Sequence, residues 1–279
     1  MSSDAALPTY AFIGGGNLAR ALIGGLLRSG TPATAIRVAN PGEAKRVALA
    51  RDFGVFVTPD NAEAASVADV WVLAVKPQAM AAALAPLTEL ARLKRPLVIS
   101  VAAGITTGFI RHRLGAETAV VRAMPNTPAL VGAGITGLFA DPDLTPAQRA
   151  RAAALLGAVG EVVWLDDESL MDAVTAVSGS GPAYFFLLVE AMREAGEALG
   201  LPAEAARRLS EATAYGAARL LHDSGETPEA LRTRVTSPGG TTAAALAVFE
   251  RDGFRAMVRA ALTAARDRGR ELARQYGGD

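Results

Sequence analysis

At 279 residues, 51% of them apolar, the chain is long enough for two modest domains or one large one. Its 28 basic and 28 acidic residues cancel, which argues against nucleic acid or anionic membranes as general partners. Cysteine is absent, which excludes a disulfide framework, a thiolate nucleophile and Cys-based metal sites, and His112 and His222, the only histidines, do not lie near a carboxylate at metal-ligand spacing, which argues against a zinc or triad enzyme.

The opening MSSDAALPTY lacks the basic start and long apolar core of a signal peptide, and the expectation is a cytoplasmic protein. The longest weakly polar stretch, PLVISVAAGITTGFI, is too short and too rich in Gly, Ser and Thr to cross a bilayer. Up to about residue 165, short apolar runs alternate with Ala-rich segments. Strands are predicted at 9–13, 36–39, 55–58, 70–75, 97–102 and 119–124, with helices between them at 17–29, 43–52, 60–66 and 77–91. Runs of Val, Ile and Leu separated by helices indicate a parallel, doubly wound α/β sheet covered on both faces, which GITGLFA (134–140) and EVVWL (161–165) extend. Beyond Leu165 only helices are predicted, at 181–199, 203–222, 240–250 and 254–276. The domains expected are therefore 1–165 and 166–279. Helix 181–199 is apolar all round over Tyr184–Val189, so either a bundle or a second subunit must enclose it.

AFIGGGNLARALIGGLL passes from a strand into a helix, and Gly14, Gly16 and Ala19 fit the pattern G-x-G-x-x-[G/A]. Gly14 permits the tight turn, Gly16 lets a pyrophosphate approach the backbone, and the helix start faces the negative charge. Asn40 ends the second strand, where an NAD-preferring site usually carries Asp or Glu. A 2′-phosphate would not be repelled there, with Lys45 or Arg46 in reach. Glu43 complicates this, and both cations also suit a solvated helix face. NADPH is the expected cofactor, with NADH possible. AVKPQ (74–78) ends the fourth strand, so Lys76 could meet a phosphate or the nicotinamide, or Pro77 could simply begin the next helix. In MPNTP (124–128), Asn126 is either a nicotinamide or substrate contact or an ordinary turn residue.

Two glycine-rich loops precede helices in the second half, SGSGP (178–182) and TSPGGTT (236–242). Ser180 with Pro182, and Thr241 or Thr242 before a helix starting near 243, have the chemistry of caps and first-turn residues. Capping does not require two glycines in each loop; open backbone N–H groups at a helix start would suit a carboxylate.

FIGGGNLA, AVKPQ, MPNTP, DAVTAVSGSGPAYFF and above all VTSPGGTT, in this order and spacing, resemble pyrroline-5-carboxylate reductases over essentially the whole chain. The resemblance implies reduction of 1-pyrroline-5-carboxylate to L-proline, the last step of proline synthesis, by a Rossmann domain followed by an all-helical dimerisation domain. It further implies a homodimer joined through the helical domains, often assembled as five dimers. On this resemblance the cofactor lies on Ile13, Gly14, Gly15, Gly16, Asn17 and Leu18. Asn40 and Asn61 sit towards its adenosine end, and Ala74, Val75, Lys76 and Pro77 along its middle. The substrate carboxylate is held by Ser178, Gly179, Ser180 and Gly181 and by Gly239, Gly240, Thr241 and Thr242, with Glu168 near the pocket. Gly15 and Leu18 depart from the Ala and Met of many members without disturbing the backbone logic.

In this chemistry hydride passes from the nicotinamide to the carbon of a C=N bond while the ring nitrogen takes a proton. Orientation matters more than strong acid–base groups, which suits a chain with so few catalytic side-chain types. Thr242 is assigned the positioning of the ring nitrogen, since its hydroxyl is a poor general acid. Two other readings exist. A β-hydroxyacid dehydrogenase would carry a catalytic lysine in the linking helical region, and residues 160–200 contain none. A non-catalytic cofactor sensor would not need the two carboxylate loops.

Overall fold

The computed structural model describes residues 7–277. Eight strands form one sheet in the order β3-β2-β1-β4-β5-β6-β7-β8. They are β1 (Tyr10–Ile13), β2 (Ile36–Ala39), β3 (Phe56–Thr58), β4 (Val70–Leu73), β5 (Leu97–Ser100), β6 (Ala119–Met124), β7 (Gly134–Ala140) and β8 (Gly160–Leu165). The first six are mutually parallel. β7 departs from expectation by running antiparallel to β6, with Val121 opposite Ala140, while β8 is parallel to β7. Only the 3₁₀ turn Thr127–Val131 lies between β6 and β7. A parallel return needs a crossover of a dozen or more residues.

Helices cover both faces: α1 (Asn17–Arg28), α2 (Glu43–Phe53), α3 (Asn61–Ala65), α4 (Met80–Leu84), α5 (Thr88–Lys94), α6 (Thr107–Leu114) and α7 (Pro146–Gly157). α1 buries Ala19, Leu22, Ile23 and Leu26, one stripe at helical spacing, against Phe12, Val38, Val72 and Ile99. On the opposite face Ile13, Trp71, Leu73 and Val98 meet Ala64, Met80, Leu84 and Ile110. Strands β1, β4 and β5 are therefore buried on both sides, which is why they read as continuous apolar runs.

The single helix expected over 77–91 is broken into 3₁₀ turns and two short helices, with a proline at the start of the turn Ala85–Leu87. Pro86 has no N–H to continue the ladder. α6 and α7 were not predicted, although both carry start signals. Thr106 caps Phe109, and Thr145 forms a capping box with Gln148 ahead of Pro146.

After β8 come a 3₁₀ turn (Glu168–Leu170), α8 (Met171–Val174), a π-helical turn (Thr175–Gly179), α9 (Gly181–Ala198) and α10 (Ala203–Ser224). α11 (Pro228–Arg234), which was not predicted, α12 (Thr241–Arg251) and α13 (Phe254–Gly277) complete the chain. The compact units divide it differently from the expected break after residue 165. The first runs to Gly179 and takes in the chain from Ala265 onward, and the second is Ser180–Ala264. The cause is local: residues 168–179 pack on the sheet. A Cβ on Gly137 of β7 would come within 2.6 Å of the Val174 side chain, so glycine there lets α8 sit close.

The helical run Glu168–Ala198 is long and apolar enough by length and composition alone to cross a membrane, and only 11% of its apolar window is buried. Within the second unit Phe185 and Phe186 expose 67% and 68% of their surface, and Phe185, Phe186 and Val189 line an open groove with Arg207 and Ala214 of α10.

Candidate functional site

The sheet order changes direction between β1 and β4, and the carboxyl ends of those strands are where a doubly wound sheet takes a dinucleotide. Gly14 follows Ile13 with φ 106°, and its N–H donates to Ala39 O at 2.8 Å. A Cβ there would lie 2.5 Å from Ala74 O, so the β1 turn presses directly on the chain leaving β4. Gly15 N–H donates to Asn40 Oδ1 at 3.2 Å, and a Cβ on Gly15 would come within 2.6 Å of the Leu49 side chain. Around a Cβ on Gly16, by contrast, the space is open. Gly16 is the N-cap of α1 and supplies no side-chain bond; the first helical bond is Arg20 N–H to Gly16 O at 3.0 Å. The N–H groups of Gly16, Asn17 and Leu18, just beyond the end of β1, thus have no hydrogen-bond partner among the described residues. That arrangement suits a pyrophosphate.

Asn40 is buried and has structural work of its own: besides holding Gly15, its Nδ2 donates to Gly42 O at 3.2 Å. One terminal nitrogen of the Arg46 guanidinium donates to Asn40 O at 2.8 Å and to Pro41 O at 2.7 Å. Arg46 is thereby fixed beside the end of β2, whereas Lys45 is exposed and makes no hydrogen bond or ion pair among the described residues. Asn61 begins α3 and donates to Ala83 O at 3.1 Å. Beyond β4, Ala74 N–H donates to Ile13 O at 2.8 Å, Val75 is half-buried and Lys76 is exposed. The Lys76–Pro77 bond is trans, and Pro77 opens a 3₁₀ turn, as its helix-start reading required.

The SGSGP segment is not a loop. Ser178 and Gly179 belong to the π-helical turn, and Ser180 has helical φ −88° and ψ −18° with no side-chain capping bond. The helix-start cap expected of Ser180 is therefore absent, because the helix already runs through it. π-turns inside helices are frequent at functional positions. The Ser178 hydroxyl donates to Val174 O at 3.0 Å. Asn126 is likewise committed: its Nδ2 donates to Ser178 O at 3.2 Å and its Oδ1 accepts from Ile135 N–H at 3.0 Å.

Glu168 lies in the first unit as part of a network that the sequence reading missed. Its Oε1 accepts from Thr107 N–H at 2.9 Å and from Arg122 at 3.1 Å, and its Oε2 accepts from the Thr107 hydroxyl at 3.0 Å. The Arg122 side chain is only 7% exposed and also stands 3.8 Å from Asp172. The available signal was an arginine inside the apolar strand AVVRAM, since a buried charge requires a partner.

In the second unit, Ser237-Pro238-Gly239-Gly240 forms a turn closed by Gly240 N–H to Ser237 O at 3.0 Å, with Gly239 at φ 71°. Proline followed by a positive-φ glycine is the type II pattern. Thr241 and Thr242 are not caps: the N-cap of α12 is Gly240, and they are the first two helical residues. The first helical bond is Ala244 N–H to Gly240 O at 3.1 Å, so the N–H groups of Thr241, Thr242 and Ala243 have no partner among the described residues. The Thr242 hydroxyl stands on that first turn and makes no hydrogen bond among the described residues.

Residues 168–272 match a family model described as pyrroline-5-carboxylate reductase dimerisation, and 9–104 match one described as NADP oxidoreductase, coenzyme F420-dependent. A pyrroline-5-carboxylate reductase of Pseudomonas aeruginosa is 52% identical over 97% of this chain and 98% of its own length. The chain belongs to the pyrroline-5-carboxylate reductase family. A solved pyrroline-5-carboxylate reductase of Coxiella burnetii superposes with a TM-score of 0.92 at 43% identity, covering 96% of this chain and 99% of that one. Another family member, a pyrroline carboxylate reductase of Plasmodium falciparum solved with NADP bound, gives 0.82 at 27% identity over 95% and 98%.

Proposed function

We propose that the chain reduces 1-pyrroline-5-carboxylate to L-proline, with NADPH as the preferred hydride donor and NADH as a weaker one. Full-length similarity to reductases of that name supports the reaction. The structural observation that carries it is the start of α12, where glycine replaces a side-chain cap and three first-turn N–H groups are left open. An 11-residue helix start of this kind suits the substrate carboxylate.

The glycine turn after β1 holds the pyrophosphate, and Arg46 beside the end of β2, with no Asp or Glu at position 40, favours the 2′-phosphate of NADPH. Ala74 to Pro77 lie along the middle of the cofactor. The bound nicotinamide supplies the hydride. Ser178, Gly179, Ser180 and Gly181, with Gly239 to Thr242, bind the carboxylate and orient the ring. The Thr242 hydroxyl hydrogen-bonds the ring nitrogen and directs it as it takes up a proton from water. Its contribution is geometry, because a threonine hydroxyl is far too weak an acid at neutral pH to be the donor of choice.

The active form is a cytoplasmic homodimer in which the apolar faces of α9 and α10 are covered by those of a second copy, and five such dimers form the larger assembly. The exposed Phe185 and Phe186, with the dimerisation family match, support the dimer. Proline formation from 1-pyrroline-5-carboxylate, measured with NADPH and NADH for wild type, Thr242→Ala and Thr242→Ser, tests the reading. Expected are turnover favouring NADPH, loss of about tenfold to a thousandfold in kcat for Thr242→Ala, and partial recovery in Thr242→Ser. Absence of turnover with either cofactor refutes it.

A further inference from the structure

Resting on the substrate role just given to Ser178 and Gly179, we propose that Asn126 is a positioning residue that sets the substrate affinity of the π-helical turn Thr175–Gly179. A π-turn has one residue more per hydrogen-bonded ring than the α-helix around it, so its shape depends on outside anchors. Asn126 provides one. Its Nδ2 donates to the carbonyl of Ser178, and its Oδ1 is held by Ile135 N–H at the start of β7. A single carboxamide thus ties the turn to the sheet and is itself oriented by the sheet.

The surrounding contacts follow the same line. Gly179 packs against the Met124 side chain at the end of β6, where a Cβ would displace the terminal methyl of that methionine. Gly137 of β7 admits Val174 one turn earlier, and Glu168 pins the beginning of the segment to Thr107 and Arg122. Among these contacts, Asn126 supplies a side-chain hydrogen bond to the backbone of the turn, at Ser178 O. These two bonds use one of the two donors and one of the two acceptor positions of the amide, so the nicotinamide contact that the sequence left open for Asn126 is a separate role, which the test below distinguishes.

The test uses the full chain as wild type, Asn126→Asp and Asn126→Ala. Aspartate keeps an acceptor for Ile135 N–H and the size of the side chain, but it loses the donor to Ser178. Alanine loses both bonds without adding a charge that could itself repel the substrate. The readouts are KM for 1-pyrroline-5-carboxylate, inhibition by L-proline, kcat, NADPH affinity by cofactor fluorescence, and thermal melting. Expected in both variants is an increase of about tenfold in KM and in the proline inhibition constant, with kcat within about twofold and NADPH affinity unchanged. An unchanged KM with a lower kcat, or a fall confined to NADPH affinity, overturns the proposal, the latter restoring the nicotinamide contact. If melting shows the alanine variant unfolded, the aspartate variant at saturating NADPH decides by the same criteria. A wild type that neither turns over the imine nor binds proline overturns the functional reading and this role with it. An active wild type with unaltered variants overturns this role alone.

Discussion

Replacing Gly16 by alanine separates folding from cofactor binding. Gly16 has φ −78° and ψ −176°, backbone that any residue adopts, and a Cβ built on it meets no atom within 4 Å. The folding cost is that of a poorer helix cap, about 0.5–1 kcal/mol, which for a chain of this size is a fall of only a few degrees in Tm. The methyl group would stand where the open N–H groups of Gly16, Asn17 and Leu18 receive the pyrophosphate. Losing one charge-assisted hydrogen bond of about 1.5–3 kcal/mol weakens NADPH by roughly tenfold to a hundredfold. Gly14→Ala is the contrasting control, because φ 106° and a Cβ 2.5 Å from Ala74 O obstruct the fold itself. The assay is NADPH fluorescence titration with thermal melting on the same samples. A Gly16→Ala variant that binds NADPH like wild type, or that melts as low as Gly14→Ala, would refute the reasoning.

Three further outcomes are expected. Glu168→Gln leaves the buried Arg122 with only the longer Asp172 pair at 3.8 Å as a charged partner and should cost about 2 kcal/mol in urea unfolding; a midpoint equal to wild type counts against the network. Burial alone would raise the Asp69 carboxyl, but the Thr9 N–H and hydroxyl, at 2.9 and 2.8 Å, outweigh it and hold it below its ordinary value. A depressed folded pKa contributes stability above the unfolded value of about 4 that is lost as pH falls through the folded one. Asp69→Asn should therefore melt below wild type at pH 7, with the gap closing below about pH 4; a gap that persists in acid contradicts this. Phe186→Glu, placing a charge on the exposed apolar face of α9, should reduce the mass in light scattering to that of a monomer, and an unchanged mass would put the dimer elsewhere.

The strands were legible because burial on both faces leaves a mostly apolar run, even where one arginine interrupts it: 36–39, 119–124 and 134–140 coincide with β2, β6 and β7. The glycine turn was legible for a local reason as well, since a positive φ and a close backbone approach admit only glycine at position 14. α6 and α7 were passed over although Thr106 and the Thr145–Gln148 box announced them. The direction of β7 was overlooked although the connection from 124 to 134 is too short for a parallel crossover. The π-turn through Ser178 and the compact boundary after Gly179 left no such local trace, because each depends on residues distant in sequence: Asn126 against Ser178, Gly137 against Val174. The sequence by itself determined which segments are strands, where a phosphate and a carboxylate could meet bare backbone, and to which family the motifs point. Only the tertiary structure decided what Asn40, Asn126 and Glu168 hold, because a polar side chain's partner is set by what the fold brings within hydrogen-bond distance of it.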